Sequence, residues 1–358
     1  MFPETPVAKQ LGIRYPILQA PMAGGPTTPE LVAAVSNGDG LGSLASGMSS
    51  PETILQDVAT VQRLTGKPFG INLFVLKTPR PNDELMTKVA QLLAPIRSEL
   101  GLPAEAGTTK FCEEFEEQFS ALLEARPALA SFTFGILSAA QISALHAVGT
   151  LVCGTATTVA EALAWEAAGA DLVCAQGSEA GGHRGTFLGD FESTLVGTMA
   201  LVPQIVDAVR VPVIAAGGIM DGRGIAAAHL LGAAAAQMGT AFLLCPEAGT
   251  SAPWKSALRD ARDDQTRVSS VYSGKPARGL VNEFMLRLAS VRDEIPPYPI
   301  QNALTGSIRR AAAQANRPEF LSLWTGQAAS MCREMPAGEL VASLVSETLS
   351  VLRGAAMS

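Results

Sequence analysis

Eight short apolar runs, each followed by a longer alanine-rich or amphipathic stretch, constrain this chain more than any other feature. The runs fall at 15–21, 42–45, 69–74, 130–135, 150–154, 172–176, 213–216 and 235–239. They are apolar almost throughout, which is the pattern of strands covered on both faces and therefore of a parallel sheet. Helical patterns occur between them at 29–36, 51–64, 139–147, 159–168, 194–209 and 222–231. Gly38, Gly149, Gly169 and Gly232 stand where helix C-caps are expected. Eight strands separated by helices predict an α/β chain folded as a (β/α)8 TIM barrel, not an open doubly wound sheet.

Two regions break the rhythm. Residues 77–128 hold more helical pattern than one crossover needs, including the acidic run Glu113-Glu114-Phe115-Glu116-Glu117, so a helical insertion is expected between the third and fourth strands. The acidic run reads as a solvated helix face. Beyond Leu244 the chain continues with helix patterns and a proline cluster around Pro296, Pro297 and Pro299. The expected organisation is a barrel over 1–250, a mainly helical cap or substrate region over 251–335, and a C-terminal helix over 336–358 packed on the barrel.

Composition narrows the class. Hydrophobic residues make up 47% and charged residues 16%, enough for a large core, while a net charge of −7 disfavours nucleic-acid and membrane partners. Cys112, Cys153, Cys174, Cys245 and Cys332 are widely spaced without a C-x-x-C pair, and three of them sit inside apolar runs, so they read as small hydrophobes. The segment beginning Met1-Phe2-Pro3 lacks the basic and apolar regions of a secretory leader, and no apolar stretch reaches bilayer length. A cytoplasmic enzyme is expected. No oligomeric state can be read from the sequence.

In a TIM barrel the strand ends meet at one face, where active sites are built. The sixth run leads into 175–187, a segment carrying Gly177, Gly181, Gly182 and Gly185 together with His183. Polar residues and glycines at a strand end suit a ligand-binding loop. The seventh and eighth runs end in Gly217-Gly218 and Gln237-Met238-Gly239-Thr240. Loops after strands seven and eight are the recurrent phosphate site of such barrels, and glycine backbone N–H groups suit that task. Asn72 and Gln176 place amides at the ends of apolar strands, where a heterocycle edge would satisfy them. His146 and His229 lie in helix patterns and read as structural. No metalloprotease, serine-hydrolase or G-x-G-x-x-G motif occurs, and no metal site is expected.

With these residues assembled, the chain resembles the nitronate monooxygenase family, formerly called 2-nitropropane dioxygenases, which are FMN-dependent barrel flavoproteins. The likeness rests on Ala20-Pro21-Met22-Ala23-Gly24-Gly25, the 175–185 segment, Ala215-Ala216-Gly217-Gly218-Ile219, Gln237-Met238-Gly239-Thr240 and Ser273-Gly274-Lys275-Pro276-Ala277-Arg278-Gly279. Together with the strand-end reading it implies FMN contacts from Met22, Asn72, Gln176, Gly181, Gly182, Gly217, Gly218, Gln237, Met238, Gly239 and Thr240. It also implies that His183 is catalytic and that Tyr298 approaches the substrate. The implied reaction oxidises a small nitronate or nitroalkane with O2 to a carbonyl compound and nitrite. The same core is similar to that of NAD(P)H-dependent FMN reductases acting on quinones or enoyl thioesters, which is the alternative. Residue types leave His183 two roles: orienting an anion, the role expected here, or acting as a general base on a neutral nitroalkane.

Overall fold

The computed structural model describes residues 4–355, so the expectations for the first three residues and for the last three of 336–358 lie outside it. Eleven strands are present among the described residues. They are β1 Ile17–Gln19, β2 Ser43–Ala45, β3 Gly70–Phe74, β4 Leu129–Thr133, β5 Leu151–Ala156, β6 Leu172–Gln176, β7 Gly182–His183, β8 Val213–Ala216, β9 Ala235–Met238, β10 Thr266–Ser269 and β11 Ala277–Leu280. Eight of them pair in parallel in the order β1-β9-β8-β6-β5-β4-β3-β2. A parallel bridge between Leu18 and Leu41 closes the ring. At that seam the Ser43 N–H donates to the Gln19 side-chain oxygen at 2.9 Å, so a buried amide replaces a missing ladder bond. The result is the (β/α)8 barrel expected from the eight apolar runs.

The two faces of each strand separate cleanly. Ile17, Val173, Val213, Ala215 and Ala236 join the core between the barrel and its helices. Their neighbours Leu18, Leu172, Cys174, Ile214, Ala216 and Ala235 join a second core inside the barrel, sealed by Val7, Ala8 and Leu11. Those three belong to the helix Pro6–Leu11, capped by the Thr5 hydroxyl and ended by a left-handed Gly12. The helix plugs the end of the barrel opposite the strand C-termini, and the sequence reading did not anticipate it.

The 77–128 region divides in two. Phe115–Ala125 sends Phe119, Ala121 and Leu122 into the barrel core, so it serves as the ordinary crossover helix before β4. Asp83–Glu99 instead packs Val89, Leu93 and Ile96 with Tyr272, Phe284, Leu288 and Phe320 of the C-terminal region. Buried Arg97 fastens it there, donating to Pro103 O, Glu105 O and Ser307 Oγ at 2.6, 2.9 and 2.8 Å. Glu114, Glu116 and Glu117 are exposed.

After β9 the helices Ala252–Arg259, Glu283–Leu288, Ile300–Leu304 and Gly306–Gln314 follow, as the helical patterns predict. The antiparallel hairpin of β10 and β11 was not predicted. Its short strands mix polar and apolar residues and lack a regular alternation. β11 pairs with β7, setting Ala277 opposite His183 and Arg278 opposite Gly182. The final helix, Ala337–Ala355, lays Leu340, Val341 and Leu344 on the barrel core with none of their surface exposed. Each such side chain contributes roughly 1.5–3 kcal/mol. Among the described residues, no helix is long and apolar enough to cross a membrane.

Candidate active site

The period-two alternation that fills the barrel interior also selects the groups at its mouth. Asn72, Gln176 and Gln237 share the inward parity of their strands, one step beyond Gly70, Cys174 and Ala235. They open onto a cavity of about 520 Å³ at the C-terminal end of the barrel. Met22, Gly181, Gly182, His183, Gly217, Gly218, Met238, Gly239 and Thr240 line the same cavity. Every residue expected at the cofactor, and the expected catalytic histidine, is therefore brought to one chamber. Tyr298 is not part of the lining, but its ring packs against His183 with centroids 5.3 Å apart.

The glycine pair after β8 is required by conformation and by space. Gly217 and Gly218 have φ of 109° and 73°, in the region that disfavours side chains. A Cβ on Gly217 would sit 3.0 Å from both Ala180 N and Thr198 Oγ1. This close approach is stitched by Glu179, whose carboxylate accepts from the Thr198 N–H at 2.8 Å and the Thr198 hydroxyl at 2.9 Å. Glu179 thereby caps the helix Thr198–Ala208, whose own N-cap, Gly197, has no side chain. Thr240 Oγ1 accepts from Gly326 N–H at 2.9 Å, so its oxygen supports the segment after Trp324 while its proton and second lone pair stay available. The cradle is glycine-walled and contains no carboxylate, and it fits a phosphate.

The amides differ in availability. Asn72 Nδ2 donates to Ser131 O and Oγ, both at 3.0 Å, leaving Oδ1 at the chamber wall without a protein partner among the described residues. Gln237 makes one weak contact, Nε2 to Cys174 Sγ at 3.5 Å, and is otherwise open to a ligand. Gln176 is largely committed to the loop: Nε2 donates to His183 O at 3.0 Å and Oε1 accepts from Gly185 N–H at 2.8 Å. It fixes the backbone that carries His183.

Buried charges hold the rest of that loop. Arg184, 1% exposed, donates to the carbonyls of Gln176, Gly177 and Thr194 at 2.9, 2.6 and 3.0 Å. Arg278 Nε donates to Ser178 O at 3.0 Å. Fully buried Glu161 accepts from the Phe187 and Leu188 N–H groups at 2.6 and 2.9 Å. Loop carbonyls thus meet guanidinium groups and loop N–H groups meet a carboxylate, which satisfies a buried irregular backbone.

His183 is half-buried. Its Nε2 lies 2.8 Å from Ser273 Oγ. With the Ser273 hydroxyl donating to Lys275 O, at 3.1 Å, the proton of the neutral ring is on Nε2. Nδ1 then carries the lone pair and has no protein partner among the described residues. Desolvation, then the charges of Lys275 and Arg309, push the His183 pKa down to about 3, so the ring is neutral in ordinary buffers. Phe134, Tyr298 and Trp324 surround it with centroids at 5.5, 5.3 and 5.6 Å. Phe134 adopts φ 75°, a strained conformation for an aromatic residue, of the kind that gathers at functional sites. Lys275 Nζ sits 4.8 Å over the Phe134 ring and donates to Thr186 O at 3.1 Å. Burial raises the Tyr298 phenol pKa, which keeps it neutral.

Sequence reading missed Arg309, Phe134, Trp324, Ser273 and Lys275 as site residues. Lys275 and Ser273 stand in a segment quoted for the family resemblance, and that was the available signal. Phe134 ends an ordinary apolar run. Arg309 lies on the helix Gly306–Gln314, whose placement over the barrel mouth depends on tertiary packing. Arg309 and Arg310 line the chamber and, among the described residues, no Asp or Glu does. His146 pairs with Asp171 at 2.8 Å, away from the chamber.

The nitronate monooxygenase family model matches residues 5–347. A probable nitronate monooxygenase of Staphylococcus haemolyticus is 43% identical over 97% of this chain and 97% of its own. One from Staphylococcus saprophyticus is 42% identical over 97% and 98%. Among solved structures, nitroalkane oxidase from Streptomyces ansochromogenes is 39% identical with a TM-score of 0.89, covering 98% of this chain and 99% of that one. FabK from Thermotoga maritima is 30% identical with a TM-score of 0.77, covering 98% and 97%.

Proposed function

This chain belongs to the nitronate monooxygenase family, and on that premise we propose that it oxidises alkyl nitronates with O2 to a carbonyl compound and nitrite, using FMN. The observation that carries the reading is electrostatic. The chamber around His183 is lined by Arg309, Arg310 and aromatic rings and, among the described residues, by no Asp or Glu, so it favours an anion. A nitronate is a carbanion resonance form whose charge rests on its nitro oxygens.

The glycine cradle of Gly217, Gly218, Gly239 and Thr240 would hold a terminal phosphate. Asn72 Oδ1 and the Gln237 amide would meet the ring edge, with Met22 against its face. The flavin, when bound, supplies the electron transfer and the reaction with oxygen. The protein's own part is to attract and hold the anion, to exclude water and to manage one proton. Lys275 and Arg309 provide the positive field. Phe134 and Trp324 wall the substrate from solvent, and the Tyr298 ring packs against His183. His183, neutral and with Nδ1 free, accepts the α-proton when the substrate arrives as a neutral nitroalkane. The hydrogen bond from Nε2 to Ser273 favours this acceptor role over the anion-orienting one expected from residue types, because a ring that donates to Ser273 has no second N–H for the substrate. On this reading residues 1–250 hold the cofactor, 251–335 shape the substrate side and 336–358 cover the barrel's flank.

The test is chromatographic and kinetic. Heat-released flavin should co-elute with FMN, and aerobic ethyl nitronate should yield nitrite. Stoichiometric FAD, or nitrite-free NADH oxidation with a quinone acceptor, would overturn the proposal in favour of a reductase.

A further inference from the structure

Behind the chamber wall, one peptide group carries a hydrogen bond to a charged side chain at each end. The carbonyl of Thr186 accepts from Lys275 Nζ at 3.1 Å. The N–H of the same peptide unit, on Phe187, donates to Glu161 Oε1 at 2.6 Å. The C=O and N–H of a trans peptide point in opposite directions. Ammonium and carboxylate therefore stand on opposite sides of one dipole, each at the end that attracts it. Where the dielectric is low, hydrogen bonds in series polarise one another, so charge at one end strengthens the bond at the other.

Neither charge has a closer counterpart. Fully buried Glu161 lies on the helix Val159–Ala168. Besides the Phe187 and Leu188 N–H groups it accepts from the N–H and hydroxyl of Thr157, at 2.6 and 2.7 Å. All these donors are neutral, so the carboxylate has no directly bonded cation among the described residues. Arg184 also feels the Glu161 charge, but its N–H groups go to the carbonyls of Gln176, Gly177 and Thr194, none in a peptide that Glu161 holds. The Lys275 ammonium meets the Thr186 carbonyl and the face of the Phe134 ring, and no carboxylate among the described residues.

We infer that Glu161 is the counter-charge of Lys275, joined to it through the Thr186–Phe187 peptide, and is thereby a positioning residue that keeps Lys275 charged and in place over Phe134. The inference rests on the nitronate-oxidising reading, in which Lys275 supplies part of the positive field. Burial pushes the Lys275 pKa down, and the Glu161 charge opposes that. The other titratable groups gathered there are His183, which is neutral, and Arg309, which shares the field at that ring. Neither is an anion, so the proton on Lys275 depends on Glu161.

The experiment is a double-mutant cycle read as pH profiles. For ethyl nitronate, kcat/KM is followed across the alkaline range in the native holoprotein, Glu161→Gln, Lys275→Met and the double variant. The native profile should fall where Lys275 loses its proton, and that limb should be absent in Lys275→Met. Glu161→Gln keeps the size of the side chain and removes its charge, so the limb should move to lower pH by about one pH unit or more. Lys275→Met should also cost less in the Glu161→Gln background than in the native one, because the ammonium is no longer held. An unmoved limb in flavin-loaded Glu161→Gln, or additive losses around the cycle, would refute the pairing. A second measurement covers a Glu161→Gln that does not fold. With phenylalanine labelled at its backbone nitrogen, the Phe187 amide proton should resonate far downfield, as a short bond to a carboxylate demands, and Lys275→Met should move it upfield. A Phe187 resonance that ignores Lys275→Met would rule the pairing out. Nitrite release from ethyl nitronate by the native protein separates the two levels: with it, a failed cycle sinks only the role of Glu161; without it, the underlying reading falls too, and the Phe187 resonance still decides the pairing.

Discussion

Replacing His183 with Asn removes the only side-chain lone pair proposed to take a substrate proton, while leaving the β7 backbone paired with β11. The consequence differs between the two forms of one substrate. A neutral nitroalkane must lose its α-proton, and loss of a positioned base typically costs about 10²–10⁴-fold. A pre-formed nitronate has already lost it. The charges that favour the anion, Lys275 and Arg309, survive the substitution, so turnover of nitronate should fall by less than about tenfold, well below the range for a lost base. The same charges set the native preference. Burial, aided by these charges, pushes the His183 pKa down to about 3. That weakens it as a base. The charges also stabilise the nitronate once formed, which offsets part of the loss. The native enzyme should therefore prefer nitronate to nitroalkane at equal concentration, and His183→Asn should widen that gap. The assay is colorimetric nitrite release from freshly neutralised nitroalkane and from equilibrated nitronate, with FMN content measured in parallel. Equal loss on both forms, with flavin retained, would refute the proton-acceptor role and return His183 to orienting the anion.

Gly218→Val places a branched side chain at φ 73° and should weaken FMN retention on dilution by tenfold or more, as an order-of-magnitude expectation for strain at such a site; unchanged flavin occupancy in a folded variant would reject the cradle. Lys275→Met keeps an apolar stem but removes the charge over Phe134, so KM for nitronate should rise more than kcat falls, and the dependence of kcat/KM on ionic strength should shrink. Lys275→Arg should restore both, and an equal loss in the Met and Arg variants would mark a packing role instead. Because His183 is held neutral to about pH 3, the unfolded chain binds a proton below pH 6.5 that the native one does not. This stabilisation is present above pH 6.5 and is lost as pH falls toward 3, at up to about 1.4 kcal/mol per unit. Denaturation of His183→Asn should show a shallower acid slope, and an identical slope would contradict the burial argument.

The barrel was legible because burial on both faces forces each strand to read as a continuous apolar run, and eight such runs leave few other architectures. The strand-end residues were legible for a related reason: glycines and amides are anomalous at the ends of apolar runs, and the fold gathers those ends. The N-terminal plug was not legible, since Pro6–Leu11 is too short to show helical periodicity. Two apparently equivalent helices in 77–128 proved to serve different cores, a distinction set by which tertiary surface each one meets. Arg309 was hidden for the same reason, because an arginine on a surface-like helix acquires meaning only when that helix folds over the mouth. Gln176 stands at the chamber, as its place at a strand end suggests, and its bonds with the His183 loop depend on tertiary structure.

The most direct test is anaerobic. Purified holoprotein is mixed with ethyl nitronate in one cuvette and with NADH in another, and the flavin absorbance is followed in each. A cationic chamber built to take nitronate predicts rapid bleaching by ethyl nitronate, little change with NADH, and nitrite once air is admitted. Bleaching by NADH with no response to nitronate would contradict the account.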